Sequence, residues 1–267
     1  MQNKFGLALL ITLLCFAAKQ ATSFEIASGE IFMKEATNEW WSNPERSMTF
    51  LDAGDVNDDG YDDLLIGFNS YPDAKKGWVH DSKPILLVYD PDLKKYKVDM
   101  SFKETVSQQI WSRRAIITDL NGDGQSEIFI GGHGSDGLGF PMCGEQNILM
   151  KMVNNKWTNI SSILPQASDF SHGLAQGDFD GNQTTDLLVI NSPYIDESEC
   201  SGKDNLRNSS YFWGFTNSND ADELKIEVSK KDLNLTNTSS FEEAHSGLAA
   251  LLDNDEKPDL VFGTNLG

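Results

Sequence analysis

The chain has 267 residues, 41 of them acidic and 21 basic, and its formal net charge is −20 at pH 7. A field of that sign repels nucleic acid and anionic membrane surfaces, so we expect neither as a partner. Bound cations would relieve the same field.

The first 23 residues have the pattern of a secretory signal peptide. Lys4 precedes the apolar run Phe5–Ala18, and small and polar residues follow through Ser23. The run is too short to favour a membrane span, so we expect cleavage after Ser23, with an uncleaved anchor as the alternative. Cleavage removes Lys4 and Lys19 and no acidic residue, which leaves 19 basic and 41 acidic residues and a net charge of −22. We therefore expect a secreted, periplasmic or cell-surface protein whose mature region does not insert into membranes.

An acidic motif recurs along the mature chain, residues 24–267. The motif copies are residues 50–69, 115–134, 173–192 and 247–265. The first acidic positions of three copies, Asp55, Asp119 and Asp178, lie 64 and 59 residues apart, and Leu251 holds that position in the fourth copy. Similarity at one period indicates one structural unit per repeat.

Each repeat is predicted to supply about four strands. The stretches PILLVYDPDLKKYKVDMSF (84–102) and NILMKMVNNKWTNI (147–160) predict hairpins that bend at residues 90–92 and at Asn154–Asn155. Two more strands flank each acidic loop. No segment carries a helical stripe of ten residues or more, and a parallel β-helix would need a much shorter repeat. The predicted fold class is all-β, a β-propeller with one four-stranded blade per repeat.

The two ends of the mature chain leave the blade number open. A possible hairpin, FEIASGEIFMKEA (24–36), begins it, and the chain stops after the first two predicted strands of the fourth repeat. Either the hairpin completes that blade and closes a four-bladed propeller, or further blades lie beyond Gly267. We favour the second reading, in which the chain is a C-terminally truncated fragment of a larger propeller with about seven blades. The chain stops in the middle of a predicted blade, and propellers have about 4 to 8 blades.

The acidic loops have the ligand pattern of Ca²⁺ sites. Acidic or amide side chains stand at positions 1, 3, 5 and 9, a glycine at position 6 permits a sharp bend, and a backbone carbonyl at position 7 completes a shell of oxygen ligands. The proposed ligands are Asp55, Asn57, Asp59, the Tyr61 carbonyl and Asp63 in the first loop, Asp119, Asn121, Asp123, the Gln125 carbonyl and Glu127 in the second, and Asp178, Asp180, Asn182, the Thr184 carbonyl and Asp186 in the third. Crowded carboxylates repel one another unless a divalent ion lies between them, so Ca²⁺ is the expected cofactor. The alternative is a set of solvated acidic turns.

The loops differ from EF-hands and from one another. Position 12, where an EF-hand needs a bidentate Glu, is Ile66, Ile130 or Val189, and the flanking segments are predicted strands. Gln183 replaces the glycine of the third loop, and we expect it to strain the bend and weaken that site. The fourth loop has Leu251 at position 1 and Glu256 at position 6, and we expect it to be empty or weak.

The segment GDVNDDGYDDLLIG (54–67) resembles the FG-GAP or VCBS-type repeat, the Ca²⁺-binding blade of the integrin α-subunit propeller and of many secreted bacterial proteins. The resemblance extends at the level of the repeat over residues 24–267. It implies a β-propeller whose Ca²⁺ loops stiffen the blades, with a role in adhesion or in recognising a protein or carbohydrate ligand. Gln183 and Leu251 depart from the motif.

Cys143 and Cys200 remain after cleavage and form a candidate disulfide in an oxidising compartment, with two free thiols as the alternative. They lie in two of three long loops, residues 69–83, 134–146 and 192–210, which we expect to gather on one face. The aromatic side chains of these loops could stack on a sugar, anchor a partner or pack on a neighbouring blade. They are Tyr71, Trp78 and Tyr194.

No catalytic set stands out. The segment GGHGSDG (131–137) has G-x-G-x-x-G spacing, but Gly139 and Pro141 follow it and oppose the helix that a nucleotide site needs. The four histidines, His80, His133, His172 and His245, are scattered, and for the last two, which precede acidic loops, we expect structural hydrogen bonding. We expect a non-enzymatic protein. The alternatives are the scaffold of a polysaccharide-degrading, lyase-like enzyme with its catalytic part beyond residue 267, and a structural spacer in an adhesin.

Overall fold

A computed structural model gives the structure of part of the chain. The described residues are 47–70, 82–137, 140–166, 168–179, 181, 183–191, 200, 211–216, 225–229, 244–253 and 258–264. The chain divides into two units, residues 1–31 and 32–267, and every described residue belongs to the second. The predicted signal peptide, the predicted hairpin 24–36, and Tyr71, Trp78, Tyr194 and His80 lie outside the described residues.

Sixteen strands account for most of the described structure. They are β1 (Ser47–Gly54), β2 (Asp63–Asn69), β3 (Ile85–Asp90), β4 (Lys95–Val98), β5 (Ser112–Thr118), β6 (Glu127–Gly132), β7 (Ser135–Gly137), β8 (Phe140–Cys143), β9 (Ile148–Val153), β10 (Lys156–Asn159), β11 (Ser171–Gly177), β12 (Asp186–Asn191), β13 (Tyr211–Thr216), β14 (Lys225–Ser229), β15 (Ala244–Ala250) and β16 (Asp259–Thr264). A short helix, α1, spans Met100–Thr105, and a single 3₁₀ turn spans Ser161–Ile163.

The strands form antiparallel sheets that follow the sequence repeat. The strand orders are β1-β2-β3-β4, β5-β6-β9-β10 and β11-β12-β13-β14, with the two-stranded pairs β15-β16 and β7-β8. We call the three four-stranded sheets and the β15-β16 pair the first to fourth sheets. The predicted all-β class with four-stranded, propeller-like blades is confirmed. No helix among the described residues is long and apolar enough to cross a membrane.

The first strand of every sheet carries the same irregularity. Its pairing with the second strand skips one residue, between Met48 and Phe50, between Ser112 and Arg114, between Ser171 and Gly173, and between Ala244 and Ser246. Such a bulge bends the strand and increases its twist. Successive first strands β1, β5, β11 and β15 contact one another in that order, as the inner strands of propeller blades do.

Apolar clusters fill the space between successive sheets. Leu65 and Leu86 of the first sheet pack with Ile128 and Met150 of the second, and further clusters join the second sheet to the third and the third to the fourth. All six residues of β6 are buried, as are all six of β12. The second strand of these sheets is therefore buried on both faces, which explains the uninterrupted apolar runs that follow the acidic motifs.

Both predicted hairpins form, with one addition. In the second hairpin Asn154 and Asn155 have φ of 51° and 60°, so both central residues of the bend are left-handed, as a type I′ turn requires. In the first, the strands end at Val98, and the last residues of the predicted hairpin belong to α1. The Asp99 carboxylate caps this helix by accepting a hydrogen bond from the Phe102 N–H at 3.0 Å, and the indole of Trp157 donates to the same carboxylate at 3.2 Å.

A disulfide joins Cys143 and Cys200, whose Cα atoms lie 5.4 Å apart. Cys143 ends β8, which follows the first two strands of the second sheet, and Cys200 follows β12 of the third sheet. The bond therefore ties the long-loop segment of one repeat to that of the next.

Replacing both cysteines by serine is expected to lower the free energy of unfolding. The bond spans 57 residues, and for a closed loop of that length the chain-entropy account gives about 4 kcal/mol. Urea unfolding of the Cys143→Ser, Cys200→Ser double variant, compared with the oxidised parent, measures this difference. The parent in strong reductant should match the variant. An unchanged midpoint in both would show that the bond does not contribute to stability.

Candidate functional site

Each acidic motif forms the loop between the first two strands of its sheet. The loops run from the end of β1 to β2, of β5 to β6, of β11 to β12 and of β15 to β16. Positions 1 to 9 lie between paired strand ends, since Gly54 pairs with Asp63 and Thr118 pairs with Glu127. The backbone of the two strands therefore holds both ends of every loop.

The carboxylate at position 1 organises its loop from inside. Asp55 accepts hydrogen bonds from the backbone N–H groups of Gly60 at 2.7 Å and of Asn57 and Asp59 at 3.2 Å. Burial alone would raise the pKa of Asp55. The hydrogen bonds from the N–H groups of Gly60, Asp59, Asn57 and Asp58 outweigh this effect and hold the pKa below its ordinary value. Asp55 is thus a charged acceptor at neutral pH.

The second and third loops repeat this arrangement. Asp119 accepts from the Gly124 N–H at 2.8 Å, and Asp178 accepts from the Gln183 N–H at 2.9 Å. The residue at position 6 is left-handed in every case, with φ of 83° at Gly60, 87° at Gly124 and 70° at Gln183. A side chain beyond glycine is disfavoured in that conformation, so Gln183 holds the third loop in a bend that costs energy.

The carboxylate at position 9 has a role that the sequence did not reveal. In all four loops it accepts a hydrogen bond from the backbone N–H at position 2, and we call this bond the loop clasp. The pairs are Asp63 with Val56 at 3.1 Å, Glu127 with Leu120 at 2.9 Å, Asp186 with Phe179 at 2.8 Å and Asp259 with Leu252 at 2.9 Å. An apolar residue at position 2 followed seven residues later by an acid is the sequence signal for it.

Burial governs the position-9 carboxylates of the first two loops. It raises the pKa of Asp63 to about 6, although N–H groups of Tyr89 and Val56 act in the opposite direction. It raises the pKa of Glu127 to about 7, against the effects of the Leu120 N–H and of Lys151. Neighbouring acids of the same loop add to the rise in both cases, so a cation in the loop would favour the charged form of either group.

The first loop offers a donor set that suits Ca²⁺. Asp55, Asn57 and Asp59 supply hard oxygen atoms, the Tyr61 carbonyl lies at position 7, and each carboxylate oxygen of Asp63 keeps a second lone pair beyond its bond to an N–H. Within the described residues, no three His, Cys, Asp or Glu side chains already converge as a metal-binding group. Several loop oxygens instead accept the loop's own N–H groups, as in the bond from the Tyr61 N–H to Asp59 at 3.0 Å.

The second loop differs because a lysine reaches into it. The Lys151 ammonium lies 2.8 Å from Oδ2 of Asp123 and 3.4 Å from Oε1 of Glu127. Asn121 also donates to the same Asp123 oxygen at 2.9 Å. Two of the proposed ligands of this loop, at positions 5 and 9, therefore already contact a positive charge.

The third and fourth loops are less complete. Asp180 and Asn182 of the third loop lie outside the described residues, whereas Thr184 is buried and Asp186 forms the loop clasp. In the fourth loop the exposed Leu251 supplies no carboxylate at position 1, and Glu256 lies outside the described residues. The strength of these two sites stays a prediction.

The glycine-rich segment 131–137, which begins within β6, is a packing element. It continues into the strand β7, and a Cβ on Gly134 would lie 2.0 Å from the Cys143 carbonyl oxygen. Glu145, which sequence reasoning missed, accepts hydrogen bonds from the N–H groups of Ile110 at 2.8 Å, Trp111 at 3.0 Å and Gly134 at 2.9 Å. Close backbone contact explains these glycines.

Two of the histidines belong to a buried ring cluster. His133 and His172 stack with ring centroids 4.6 Å apart, and Trp111 and Phe170 contact them at 4.3 Å and 4.9 Å. His172 occupies the bulge of β11, and His245 occupies the equivalent bulge of β15. The two residues are therefore equivalent positions of the repeat, as their place before the acidic loops suggested.

These features define an all-β repeat protein with propeller-like blades, each carrying an acidic loop between its first two strands. Residues 119–189 match the family model described as an FG-GAP-like repeat, a span that runs from position 1 of the second loop to position 12 of the third. This part of the chain is therefore similar to an FG-GAP-like repeat. A search of curated proteins gave no significant match. Repeats of this kind are typical of extracellular proteins.

Proposed function

We propose that the protein is a secreted or cell-surface β-propeller, stabilised by Ca²⁺ in its acidic loops, that recognises a protein or glycan. The observation that carries the proposal is the first loop, in which the position-1 carboxylate, a left-handed glycine and the loop clasp arrange oxygen donors at alternate positions. Ca²⁺ prefers such a set of six to eight oxygen ligands.

The electrostatics of the chain support a bound divalent cation. The first loop holds Asp55, Asp58, Asp59, Asp62 and Asp63 within nine residues of a chain whose net charge is −20. Two like unit charges about 4 Å apart repel by about 1 kcal/mol even in water. A Ca²⁺ ion reverses the sign of these interactions, so its binding would stabilise the folded loop.

Recognition fits the described residues better than catalysis. Three carboxylates have structural partners, since Asp63 and Glu127 form loop clasps and Glu145 accepts three backbone N–H groups. The histidines His133 and His172 are buried in a ring cluster. A polysaccharide-degrading activity would draw on residues outside the described part of the chain.

Export is supported by two features of the chain. Residues 1–23 have the charge and apolar pattern of a secretory signal peptide. Cys143 and Cys200 are joined in a disulfide, a bond that persists in oxidising compartments.

Ca²⁺ is expected to raise the thermal midpoint of the full chain. A ligand that binds only the folded state stabilises it by about 2.7 kcal/mol at a free concentration of one hundred times Kd. Thermal melts in millimolar Ca²⁺ and in excess chelator measure this shift in the parent and in an Asp55→Ala, Asp119→Ala double variant. Most of the shift should disappear in the double variant, which lacks the position-1 ligand of the first and second loops and keeps only the weaker third loop.

Asp259→Ala is the matched control for that experiment. It removes a loop clasp from the one loop without a position-1 carboxylate, so it should lower the midpoint equally with and without Ca²⁺. A parent whose midpoint is the same in Ca²⁺ and in chelator would overturn the Ca²⁺ proposal.

Binding to an array of glycans and extracellular proteins tests the recognition role. The labelled chain, secreted from its own signal peptide, should be retained by a discrete set of ligands in Ca²⁺ and should dissociate in chelator, because the blades lose their stiffening ions. The bound glycans should remain chemically unchanged. Shortened or unsaturated glycan products released by the chain would contradict a recognition role and favour the lyase-like alternative.

A further inference from the structure

Lys151 provides the second acidic loop with a positive charge from its own sheet. The ammonium contacts Asp123 at 2.8 Å and Glu127 at 3.4 Å, and the three side chains are only 10%, 15% and 1% exposed, respectively. Ion pairs so shielded from water are screened less than surface pairs. The contacts therefore belong to the interior of the loop.

The repeat architecture places this lysine at a defined position. Met150 pairs with Ile128, so the next residue, Lys151, lies across from the position-9 residue Glu127. The same register in the first sheet puts Val88 across from Asp63, because Leu87 pairs with Leu64. In the third sheet the equivalent residue is Gly214, which follows the partner of Leu187. Among these three sheets the second is the one with a cation at this position.

The contacts of Lys151 fall on two of the proposed Ca²⁺ ligands. Asp123 at position 5 gives Oδ2 to the ammonium and to the Asn121 amide, and its Oδ1 accepts the Gln125 N–H at 2.8 Å. Glu127 at position 9 uses Oε2 for the loop clasp, and its Oε1 faces the ammonium. A Ca²⁺ ion coordinated by Asp123 and Glu127 would compete with the Lys151 ammonium for the oxygen atoms of these two side chains.

We propose that the Lys151 ammonium is an internal cation of the second acidic loop, which competes with Ca²⁺ for Asp123 and Glu127 and lowers the Ca²⁺ affinity of this loop below that of the first. The inference rests on the proposed Ca²⁺ binding of the loops. The first loop, with Val88 at the equivalent position, depends on external Ca²⁺. The second keeps part of its charge neutralised in the absence of Ca²⁺.

Calorimetric Ca²⁺ titrations of the full chain separate the two loops. Asp55→Ala silences the first loop, and adding Lys151→Met to that variant should raise the Ca²⁺ affinity of the remaining sites by about tenfold, which corresponds to ~1.4 kcal/mol. Asp119→Ala silences the second loop, and adding Val88→Lys should lower the affinity of the first loop by a similar factor. Lys156→Met, which removes the same charge from an exposed position of β10, is the control and should change little.

Melts in chelator give a readout that does not depend on the affinity of the first loop. In the Asp55→Ala background, Lys151→Met should lower the midpoint in chelator, because Asp123 and Glu127 lose their positive partner, and Ca²⁺ should restore it. A lowered midpoint that Ca²⁺ does not restore would overturn the inference and make Lys151 a purely structural ion-pair partner. An unchanged midpoint would also overturn it.

Failure of this inference differs from failure of the proposed function. Suppose that the Asp119→Ala variant binds Ca²⁺, while the Asp55→Ala, Lys151→Met variant binds it no more tightly than Asp55→Ala does. The proposed function then stands and the inference is wrong. If Asp119→Ala binds no Ca²⁺, the first loop is not a Ca²⁺ site. The inference, which ranks the second loop below the first in Ca²⁺ affinity, is then overturned together with the proposed Ca²⁺ site of the first loop.

Discussion

The structure depends on the hydrogen bond that closes each acidic loop, from the position-2 N–H to the position-9 carboxylate. It recurs in all four repeats, including the fourth, where Leu251 replaces the position-1 acid. A buried carboxylate is costly unless it is hydrogen-bonded, so the clasp satisfies the acid and fixes the loop at the same time. The backbone ladder holds the two strands together, and the clasp fixes the loop that joins them.

The clasp and the position-1 carboxylate together position the oxygen atoms of the first loop. Backbone N–H groups hold Asp55 and Asp63 in place. A ligand that binds a preformed site loses little ordering free energy. In the proposed function Ca²⁺ would neutralise charge and add stiffness to a loop that its own hydrogen bonds also hold.

Repeats with the same backbone conformation can differ in the charge that lies beside the acidic loop. The position across from the clasp is Val88 in the first sheet, Lys151 in the second and Gly214 in the third, while the backbone of the first two loops remains closely similar. A single side chain on a neighbouring strand therefore changes the electrostatics of the loop without changing its fold. If the loops bind Ca²⁺ as proposed, different blades of one chain would respond to different Ca²⁺ concentrations.

The sequence predicted the local features well. The two hairpin bends, the strands around the acidic loops and the left-handed bend at position 6 all follow from short-range rules for Gly, Asn and Asp. Helix α1 was missed because its six residues are too few to show a periodic stripe. The roles of Glu145 and Lys151 were missed because each depends on residues from a separate strand or loop, 11 to 35 positions away. Alignment of the first hairpin with the second, LLVYD (86–90) with LMKMV (149–153), places Lys151 at the position of Val88 and marks it as a charge that the first repeat lacks.

The most direct test of the account is a crystal structure of the full chain grown in Ca²⁺, with anomalous diffraction recorded at a long wavelength. We predict an anomalous peak in the first loop at about 2.3–2.6 Å from oxygens of Asp55, Asn57, Asp59 and the Tyr61 carbonyl. The clasp between Asp63 and Val56 should persist beside it. A first loop that is ordered at high Ca²⁺ concentration, with its carboxylates bonded only to backbone N–H groups and water, would contradict the central claim.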